Sequence, residues 1–342
     1  MDVDLLVVGG GPVGLATAIE AVHAGLTAAV VERRGTPIDK ACGEGLMPAA
    51  RSALERLGVR AEGREFTGIR YLAPGRDALA RFRRGPGLGV RRTTLSAALS
   101  ARADAVGVKR LDAVAGPPVL QPDRVELAGV TASWLVAADG LHSPLRRALG
   151  LHRDPSPRVR PRYGLRRHYR VGPWSDVVEV HWSGRAEAYV TPVADDLVGV
   201  AVLGPGDGTR FDDWLPEFPE LHSRVAGAEP ASAVRGAGPL RQRATRRVAG
   251  RALLVGDAAG YVDALTGEGL SVGLTCAREL VQCVVEGRPQ DYERAWWRAT
   301  RRYRLLTGAL LYAAQRPPLR RAVVPAAERL PWVFERIVDQ LG

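Results

Sequence analysis

The stretch LLVVGGGPVG at residues 5–14 decides the fold of this chain. Four consecutive apolar residues that end at a glycine-rich turn are typical of a strand buried on both faces, and the residues after the turn have the composition of a helix. A second apolar run, AAVV at residues 28–31, follows and is closed by Glu32. This order of strand, glycine turn, helix, strand and acid predicts a dinucleotide-binding unit at the start of the chain.

Each position of this unit has a physical role. Gly9 allows the tight turn, Gly11 lets the backbone approach a pyrophosphate, and Gly14 lets the helix pack closely on the strand. The N-terminus of the helix presents free N–H groups and a partial positive charge to the phosphates. Glu32 stands where a carboxylate accepts hydrogen bonds from the adenosine ribose. The residues expected to hold the dinucleotide here are Gly9, Gly11, Pro12, Val13, Gly14, Glu32 and Arg33.

Two later stretches separate FAD from NAD. LVAADG at 135–140 and LLVGDAAG at 253–260 resemble the second and third fingerprints of the p-hydroxybenzoate hydroxylase superfamily of FAD enzymes. The resemblance implies that the first Asp-Gly pair, followed by Ser143 and Arg146, lies near the FAD pyrophosphate, in a motif also tied to NAD(P)H use. It implies that the Gly-Asp pair of the third fingerprint lies at the ribityl chain. The implied cofactor residues are Asp139, Gly140, Gly256 and Asp257.

Two further stretches match the same superfamily. DALTGEGL at 263–270 resembles the loop that passes the pyrimidine edge of the flavin and starts a helix, whose N-terminus would stabilise an anion developing there. RTTLSAAL at 92–99 resembles the segment that begins a helix with a flavin-proximal arginine. The resemblance therefore adds as cofactor residues Arg92, Thr266, Gly267, Glu268, Gly269 and Leu270.

DKACGEGLMP at 39–48 resembles the Lys-Pro-Cys-Gly-Gly-Gly loop of the geranylgeranyl reductase branch of the superfamily, in which the cysteine lies beside the isoalloxazine. By this resemblance Lys40, Cys42 and Gly43 contact the cofactor, and Cys42 is the candidate catalytic residue. The alternative interpretation is that a free cysteine is tolerated in a glycine-rich loop because it is small.

A second signature of that branch, Tyr-x-Trp-x-Phe-Pro in the sheet over the prenyl pocket, is met only in its proline by EAYVTP at 187–192. A flavin halogenase would need Trp-x-Trp-x-Ile-Pro and a nearby catalytic lysine, and the chain has only Lys40 and Lys109. These departures favour a class A-like monooxygenase that uses NAD(P)H and oxygen, through a flavin hydroperoxide, on an aromatic or polyketide-like molecule. The first alternative is a reductase of prenyl-type double bonds. The second is a flavoprotein with a non-redox role as cyclase, isomerase or carrier.

The predicted fold is α/β with α+β character: a Rossmann-like FAD-binding domain with an inserted antiparallel-sheet substrate domain and C-terminal helices. Short β-branched runs between residues 160 and 203, separated by turn residues, predict the antiparallel strands. No second glycine turn follows a strand, so NAD(P)H is expected to bind only transiently. The expected boundaries are 1–72, 91–158 and 248–288 for the FAD-binding domain, 73–90 and 159–247 for the substrate domain, and 289–342 for the C-terminal helices.

The substrate is expected to be a hydrophobic or aromatic small molecule. His168, His181 and Tyr189 are the candidates for its pocket because each lies in a predicted strand, where alternation decides which face a side chain takes. The helices predicted between 290 and 340 are rich in Arg and Trp. They either close the substrate domain, with arginine stems covering apolar surface, or make peripheral contact with an anionic membrane.

The composition excludes several classes of function. The net charge is +11, but almost all of it is arginine spread along 342 residues, and no nucleic-acid recognition motif accompanies it. Cys42, Cys276 and Cys283 are too few and too scattered for a disulfide framework or a metal cluster. The chain enters a strand directly at its N-terminus and has no long apolar run, so no export signal or transmembrane segment is expected and a cytoplasmic location is favoured.

Overall fold

The computed structural model of the protein describes residues 1–154 and 160–341. The strands are, in chain order, β1 (Asp2–Val8), β2 (Ala28–Glu32), β3 (Gly45–Leu46), β4 (Arg64–Phe66), β5 (Gly68–Ala73), β6 (Arg76–Arg81), β7 (Gly87–Gly89), β8 (Lys109–Asp112), β9 (Val119–Leu120), β10 (Val125–Leu127), β11 (Val130–Ala137), β12 (His152–Arg153), β13 (Arg162–Arg170), β14 (Val178–Trp182), β15 (Glu187–Ala194), β16 (Leu197–Pro205), β17 (Glu229–Pro230), β18 (Arg235–Ala237), β19 (Arg243–Ala244), β20 (Val248–Ala249) and β21 (Ala252–Leu254). The helices are α1 (Pro12–His23), α2 (Pro48–Arg56), α3 (Arg92–Ala105), α4 (Pro144–Ala148), α5 (Phe211–Trp214), α6 (Pro219–Val225), α7 (Gly269–Val285), α8 (Tyr292–Ala314), α9 (Pro317–Arg329) and α10 (Pro331–Leu341), with short 3₁₀ turns at Leu215–Glu217, Gly256–Ala259 and Pro289–Asp291.

The apolar runs of the glycine-turn unit and of the two later fingerprints lie side by side in one sheet. β1 pairs in parallel with β2 on one side and with β11 on the other, and β21 pairs in parallel with β11. The strand order is β20-β21-β11-β1-β2-β8. Because parallel neighbours end at the same edge, the turns that follow β1, β11 and β21 meet there, which is where open α/β sheets bind their ligands.

Helices explain why these strands are apolar without alternation. Leu5, Leu6 and Val7 have no exposed surface, and α1 packs against both α3 and α7 beside the sheet. A strand covered on both faces must be apolar at every position. The expected α/β fold with a Rossmann-like FAD-binding core is confirmed.

A second, mostly antiparallel sheet lies in the region that the sequence predicts as the substrate domain, and it is called the substrate sheet below. Its order is β17-β13-β16-β15-β14-β5-β6, and only the pairing of β14 with β5 is parallel. One face of this sheet packs on α5 and α6, through Val198, Val200 and Phe211 among others. The other face looks toward the fingerprint turns and the C-terminal helices.

Several expected boundaries differ from the structure. The short strand near 68–72, which the sequence predicts on the substrate side, is β5, and it pairs with β6 and β14. The substrate sheet therefore begins within the expected FAD-binding segment 1–72. Residues 211–225 form two helices, α5 and α6, because Pro216 and Pro219 prevent continuous hydrogen bonding between them. The helices predicted between 290 and 340 are three, α8, α9 and α10, and Pro331 begins the last of them. The expected domain boundary between 158 and 159 lies outside the described residues.

Among residues 1–154 and 160–341, no helix combines the length and hydropathy needed to cross a bilayer. The same residues contain no cluster of three or more His, Cys, Asp or Glu side chains placed to hold a metal ion.

Candidate cofactor and substrate site

The glycine turn after β1 has the close contacts that its sequence predicts. Gly9 has a φ of +113°, and a Cβ there would lie 2.3 Å from the carbonyl oxygen of Ala138, so only glycine fits. A Cβ on Gly14 would lie 1.9 Å from the carbonyl oxygen of Gly9. Gly11 is different, because a Cβ there would meet only the Nη2 of Arg92, 3.9 Å away. The space in front of Gly11 is therefore open on the side where a pyrophosphate is expected.

Glu32 at the end of β2 is tied to this turn. Its Oε2 accepts a hydrogen bond from the N–H of Gly10 at 2.9 Å, and its Oε1 accepts from the N–H and the Nε of Arg34. Burial opposes ionisation, but these hydrogen bonds outweigh it, so the pKa of Glu32 lies below its usual range. The carboxylate is thus ionised and held at the turn, and the neighbouring Arg33 is exposed.

The second fingerprint is organised by Asp139. Its Oδ1 accepts a hydrogen bond from the hydroxyl of Ser143 at 2.6 Å, and its Oδ2 accepts from the N–H of Leu145 at 2.9 Å. Both carboxylate oxygens therefore stabilise the start of the short helix α4. Burial raises the pKa of Asp139, although these hydrogen bonds oppose the shift. The motif is a rigid turn beside Gly140.

Arg146 has a role that the sequence did not indicate. The resemblance connected it with NAD(P)H, but its side chain has no exposed surface. The guanidinium donates to the carbonyl oxygens of Ala258 and Leu141, each at 3.0 Å, and to the Oε1 of Gln242 at 2.9 Å. With its donors occupied inside the protein, Arg146 cannot meet an incoming nicotinamide cofactor and instead joins the second fingerprint to the third.

The Cys42 loop, residues 39–43, reaches both of these fingerprints. The Nζ of Lys40 lies 3.4 Å from the Oδ2 of Asp257, and a Cβ on Gly140 would lie 3.6 Å from the same nitrogen. Cys42 is half-buried and accepts a long hydrogen bond, 3.4 Å, from the N–H of Glu44. Sequence positions more than two hundred residues apart thus meet in one place.

Buried polar atoms without a partner mark the same region. Within the described residues, the Nε of Arg92, the Oε2 of Glu268 and the Oγ of Ser271 are buried and have no hydrogen-bond partner. Leaving such an atom unpaired costs about 1–3 kcal/mol. Arg92 borders the open space at Gly11, and the other two lie at the start of α7. A phosphate-bearing flavin cofactor supplies both acceptors and donors, so the residues present fit FAD.

The loop over residues 263–270 joins this region to the substrate sheet. Glu268 is the N-cap residue of α7, and burial raises its pKa to about 7. Gly267 has a φ of +69°, and a Cβ there would lie 3.0 Å from the Cε of Met47. The hydroxyl of Tyr189 on β15 donates to the carbonyl oxygen of Leu265 at 2.8 Å. Side chains along a strand alternate between the two faces of the sheet. Tyr189 lies on the face toward the cofactor region.

The two histidines of the predicted pocket face opposite ways. His168 lies on the same face of the sheet as Tyr189, but it is buried and its Nε2 lies 2.5 Å from the Oε2 of Glu44. His181 pairs with Ala188 and lies on the other face, where its Nε2 contacts Glu179 at 3.2 Å beside a cavity of about 310 Å³. His181 was expected to line a pocket beside Tyr189. Alternation along β14 instead places its side chain on the opposite face of the sheet.

The face of the sheet toward the cofactor region is apolar and aromatic at its centre. Tyr71 packs on Trp182 and on Phe334 of α10, with ring centroids 5.6 and 4.7 Å apart. Val262 and Leu265 belong to the same apolar cluster, so the cluster extends to the loop beside the third fingerprint. The C-terminal helices α8 to α10 contribute to this cluster, which agrees with the expectation that they close the substrate domain.

A buried ionic cluster beside this apolar face was not predicted from the sequence. Arg162 donates to the Oε2 of Glu187 at 2.5 Å and to the Oδ2 of Asp263 at 3.1 Å. The Nη1 of Arg320 lies 2.6 Å from the Oε1 of Glu187, as an ion pair rather than an aligned hydrogen bond. Burial raises the pKa of Asp263 to about 6, although Arg162 opposes the shift. The only signal for this cluster was Glu187, which stands where the reductase signature has an aromatic residue.

Comparisons with known proteins agree with this geometry. The family described as FAD binding domain matches residues 2–70 and 86–286. The chain is 29% identical over 327 residues to menaquinone reductase of Mycolicibacterium smegmatis, covering 86% of this chain and 79% of that protein. It is 31% identical over 321 residues to digeranylgeranylglycerophospholipid reductase 1 of Methanopyrus kandleri, covering 85% and 82%.

Among solved structures, a triple mutant of the flavin-dependent brominase Bmp2 superposes with a TM-score of 0.84. The superposition covers 99% of this chain and 94% of that one, at 17% sequence identity. This likeness is one of fold.

Proposed function

The chain belongs to the FAD binding domain family of flavin-dependent oxidoreductases, and from that premise we propose that it reduces carbon–carbon double bonds in a substrate that carries an isoprenoid chain. The observation that carries the proposal is the position of the Cys42 loop. This loop resembles the one specific to the reductase branch, and it lies 3.4 Å from the third fingerprint through Lys40 and Asp257.

The relatives support the same assignment. Both reductases match four fifths or more of this chain, and their names state substrates, menaquinone and a digeranylgeranyl glycerophospholipid, that carry isoprenoid chains. The apolar cluster that contains Tyr71, Trp182 and Phe334 extends to the loop beside the third fingerprint. It would offer apolar surface to such a chain, because burying apolar surface is favourable by about 25 cal/mol per Å².

The roles of the residues follow from their positions. Gly11, Arg92 and the N-terminus of α1 would hold the pyrophosphate, and Asp257 the ribityl chain. FAD, when bound and reduced, supplies the hydride, with NAD(P)H as the transient donor of electrons. The protein side chains orient the substrate, exclude water through the apolar cluster, and place Cys42 beside the ring. Glu268, with a pKa of about 7, can hold a proton at neutral pH beside α7.

Hydroxylation of an aromatic or polyketide-like molecule is the second candidate. A specific observation favours it: two aromatic positions of the reductase signature are occupied by Glu187 and Thr191, and Glu187 lies in a buried ionic cluster. A polar group so close to the apolar cluster is unusual for a pocket that binds only hydrocarbon.

One pair of reactions separates the candidates. Under anaerobic conditions with reduced FAD, we expect a prenylated quinone or a geranylgeranyl glycerophospholipid to gain two hydrogens at each reduced double bond, measured by mass spectrometry. In air with labelled O₂ and NAD(P)H, incorporation of labelled oxygen into product would instead support hydroxylation. No change in product or in flavin redox state in either reaction would leave the non-redox alternative.

Variants at two of the cysteines refine the test. Cys42→Ser should lower the rate of double-bond reduction without loss of bound FAD. Cys283→Ser in α7 is the matched control and should retain the rate, since this thiol is buried away from the site.

A further inference from the structure

Glu44 occupies an unfavourable backbone conformation that no local turn requires of a glutamate. Its φ is +60°, in the left-handed region, and the residue is only 3% exposed. A left-handed backbone is unfavourable for an L-residue other than glycine, and the reductase loop that this segment resembles has glycine at the same place. An unfavourable conformation persists only where other contacts stabilise it.

The contacts of the Glu44 carboxylate provide that stabilisation. Oε1 accepts the N–H of Arg92 at 2.8 Å, at the first turn of α3. Oε2 lies 2.5 Å from the Nε2 of His168 on β13, and the Nη2 of Arg166 is 3.8 Å from Oε1. A carboxylate at a helix N-terminus with a second charged partner is held by charge-assisted hydrogen bonds, which are stronger than neutral ones and offset the cost of the backbone conformation.

The protonation of His168 follows from its other contacts. Its Nδ1 lies 3.2 Å from the Nη1 of Arg166 and 2.9 Å from the Oγ of Ser232. Arginine can only donate, so Nδ1 is an acceptor and the imidazole proton sits on Nε2. His168 therefore donates this proton to Glu44, and every polar atom of the imidazole ring is satisfied.

The same face of the substrate sheet holds the rest of the Cys42 loop. Arg166 donates to a carboxylate oxygen of Asp39 and to the carbonyl oxygen of Lys40, the latter at 3.3 Å. The hydroxyl of Thr191 on β15 donates to the carbonyl oxygen of Gly43 at 2.7 Å. Thr191 stands where the reductase signature has phenylalanine, so it and Glu44 are two departures from the reductase motifs that join the loop to the sheet.

We propose that Glu44 and His168, assisted by Arg166 and Thr191, form a latch that fixes the Cys42 loop against the substrate sheet and so sets the position of the Cys42 thiol. His168 is a positioning residue, since both ring nitrogens are engaged by protein side chains, Nε2 by Glu44 and Nδ1 by Arg166 and Ser232. The inference concerns contacts within the chain and holds whichever reaction the site performs. Its consequence is that movement of the substrate sheet is transmitted to the loop that borders the cofactor.

The thiol of Cys42 reports on the latch directly, in purified protein with its bound FAD. Cys276 and Cys283 are buried, and burial raises the pKa of Cys276 to about 12, so Cys42 should be the fast-reacting thiol toward 5,5′-dithiobis(2-nitrobenzoate). We expect His168→Leu to raise the rate of this fast reaction about tenfold, because the loop opens more often once the charged hydrogen bond is lost. His168→Gln keeps a donor near the Nε2 position and should restore a rate close to that of the unmodified protein.

The matched control is His181→Leu, which removes a second buried histidine that also pairs with a glutamate, Glu179, but on the opposite face of the sheet. It should leave the Cys42 rate unchanged. Glu44→Gly removes the carboxylate and relieves the backbone, so it tests the latch even if the His168 variants fold poorly. A Cys42 rate within twofold of the original in folded Glu44→Gly, or an equal increase in His181→Leu, would overturn the proposal.

Discussion

Arg146 of α4 donates a hydrogen bond to the main-chain oxygen of Ala258, 3.0 Å away in the 3₁₀ turn after β21. This contact joins two fingerprints, since its two residues are 112 positions apart. The same guanidinium also donates to the main-chain oxygen of Leu141, next to the second fingerprint. The turn that carries Asp257 therefore takes its position from a buried guanidinium rather than from the cofactor alone.

The first prediction concerns this link. Arg146→Lys keeps the charge but cannot reach the separate acceptors that the guanidinium reaches, so we expect a loss of about 3 kcal/mol in the free energy of unfolding, as for other broken buried charge networks. Urea unfolding followed by circular dichroism measures it. Arg147→Lys, at the exposed neighbouring position, should change the stability by less than about 0.5 kcal/mol. An equal effect of the two substitutions would show that the buried contacts contribute nothing.

The second prediction separates cofactor binding from folding in the glycine turn. Gly11→Ala introduces a methyl group that meets only Arg92 in the protein but projects into the space expected for the pyrophosphate. Loss of one hydrogen bond to a phosphate, worth about 1.5–3 kcal/mol, should weaken FAD binding by about tenfold or more, measured by fluorescence titration.

The melting temperature of cofactor-free Gly11→Ala should match that of the unmodified protein. Gly116→Ala, at a position where a Cβ meets nothing within 4 Å, is the control for both measurements. Gly14→Ala should instead prevent folding, since its Cβ would overlap the carbonyl of Gly9. Unchanged FAD affinity in Gly11→Ala would mean that the pyrophosphate lies elsewhere.

The third prediction is a pH dependence of stability. Burial raises the pKa of Glu268 from its usual 4.5 to about 7, so the folded protein binds this proton more tightly than the unfolded chain does. Stability contributed by this group is present below about pH 4.5 and is lost as the pH rises toward 7, by up to about 3 kcal/mol. Glu268→Gln removes the penalty, and cofactor-free Glu268→Gln should gain stability over the unmodified protein at pH 8 relative to pH 5.

Glu286 is the control for that experiment. A hydrogen bond from Gln282 lowers its pKa below the usual 4.5, so its contribution to stability is lost only below about pH 4.5. Glu286→Gln should therefore show almost no change in relative stability between pH 5 and pH 8. A Glu268→Gln variant whose advantage does not grow with pH would show that the carboxyl is solvated in the folded protein.

The fourth prediction tests the buried ionic cluster of Arg162, Glu187, Asp263 and Arg320. Glu187→Ala leaves the guanidinium of Arg320 without its carboxylate and Arg162 with only Asp263. Breaking a buried pair in this way costs about 3–5 kcal/mol, measurable by urea unfolding. Asp195→Ala removes the partner of Arg64 at a side chain that is 97% exposed, and it should cost less than about 1 kcal/mol. Similar losses in both variants would contradict the role assigned to burial.

The parts of the site that the sequence predicted are those set by local pattern. The apolar runs before Gly9, Asp139 and Gly256 identified three strands, and their parallel pairing then brings the three turns to one edge. Cys42 and Lys40 were predicted from a contiguous motif, and Lys40 lies 3.4 Å from Asp257 of the third fingerprint. Most of the predicted helices and strands are present in the structure, because the periodicity that predicts them is a property of neighbouring residues.

The parts that could not be predicted depend on pairing between distant residues. Glu44 and His168 are 124 positions apart, and nothing near either residue indicates the other. Burial of Arg146 and the ionic cluster at Glu187 follow from the same cause. His181 could not be assigned to a face because side chains of a strand alternate, and a single residue of phase reverses the result.

The parallel placement of β1, β11 and β21 also has a consequence for biosynthesis. The edge that receives FAD is complete only when residues near Asp257 have left the ribosome, at about 5–20 residues per second. A nascent chain that stops before β21 contains the glycine turn but lacks the turn that carries Asp257, so the FAD site is completed only late in synthesis.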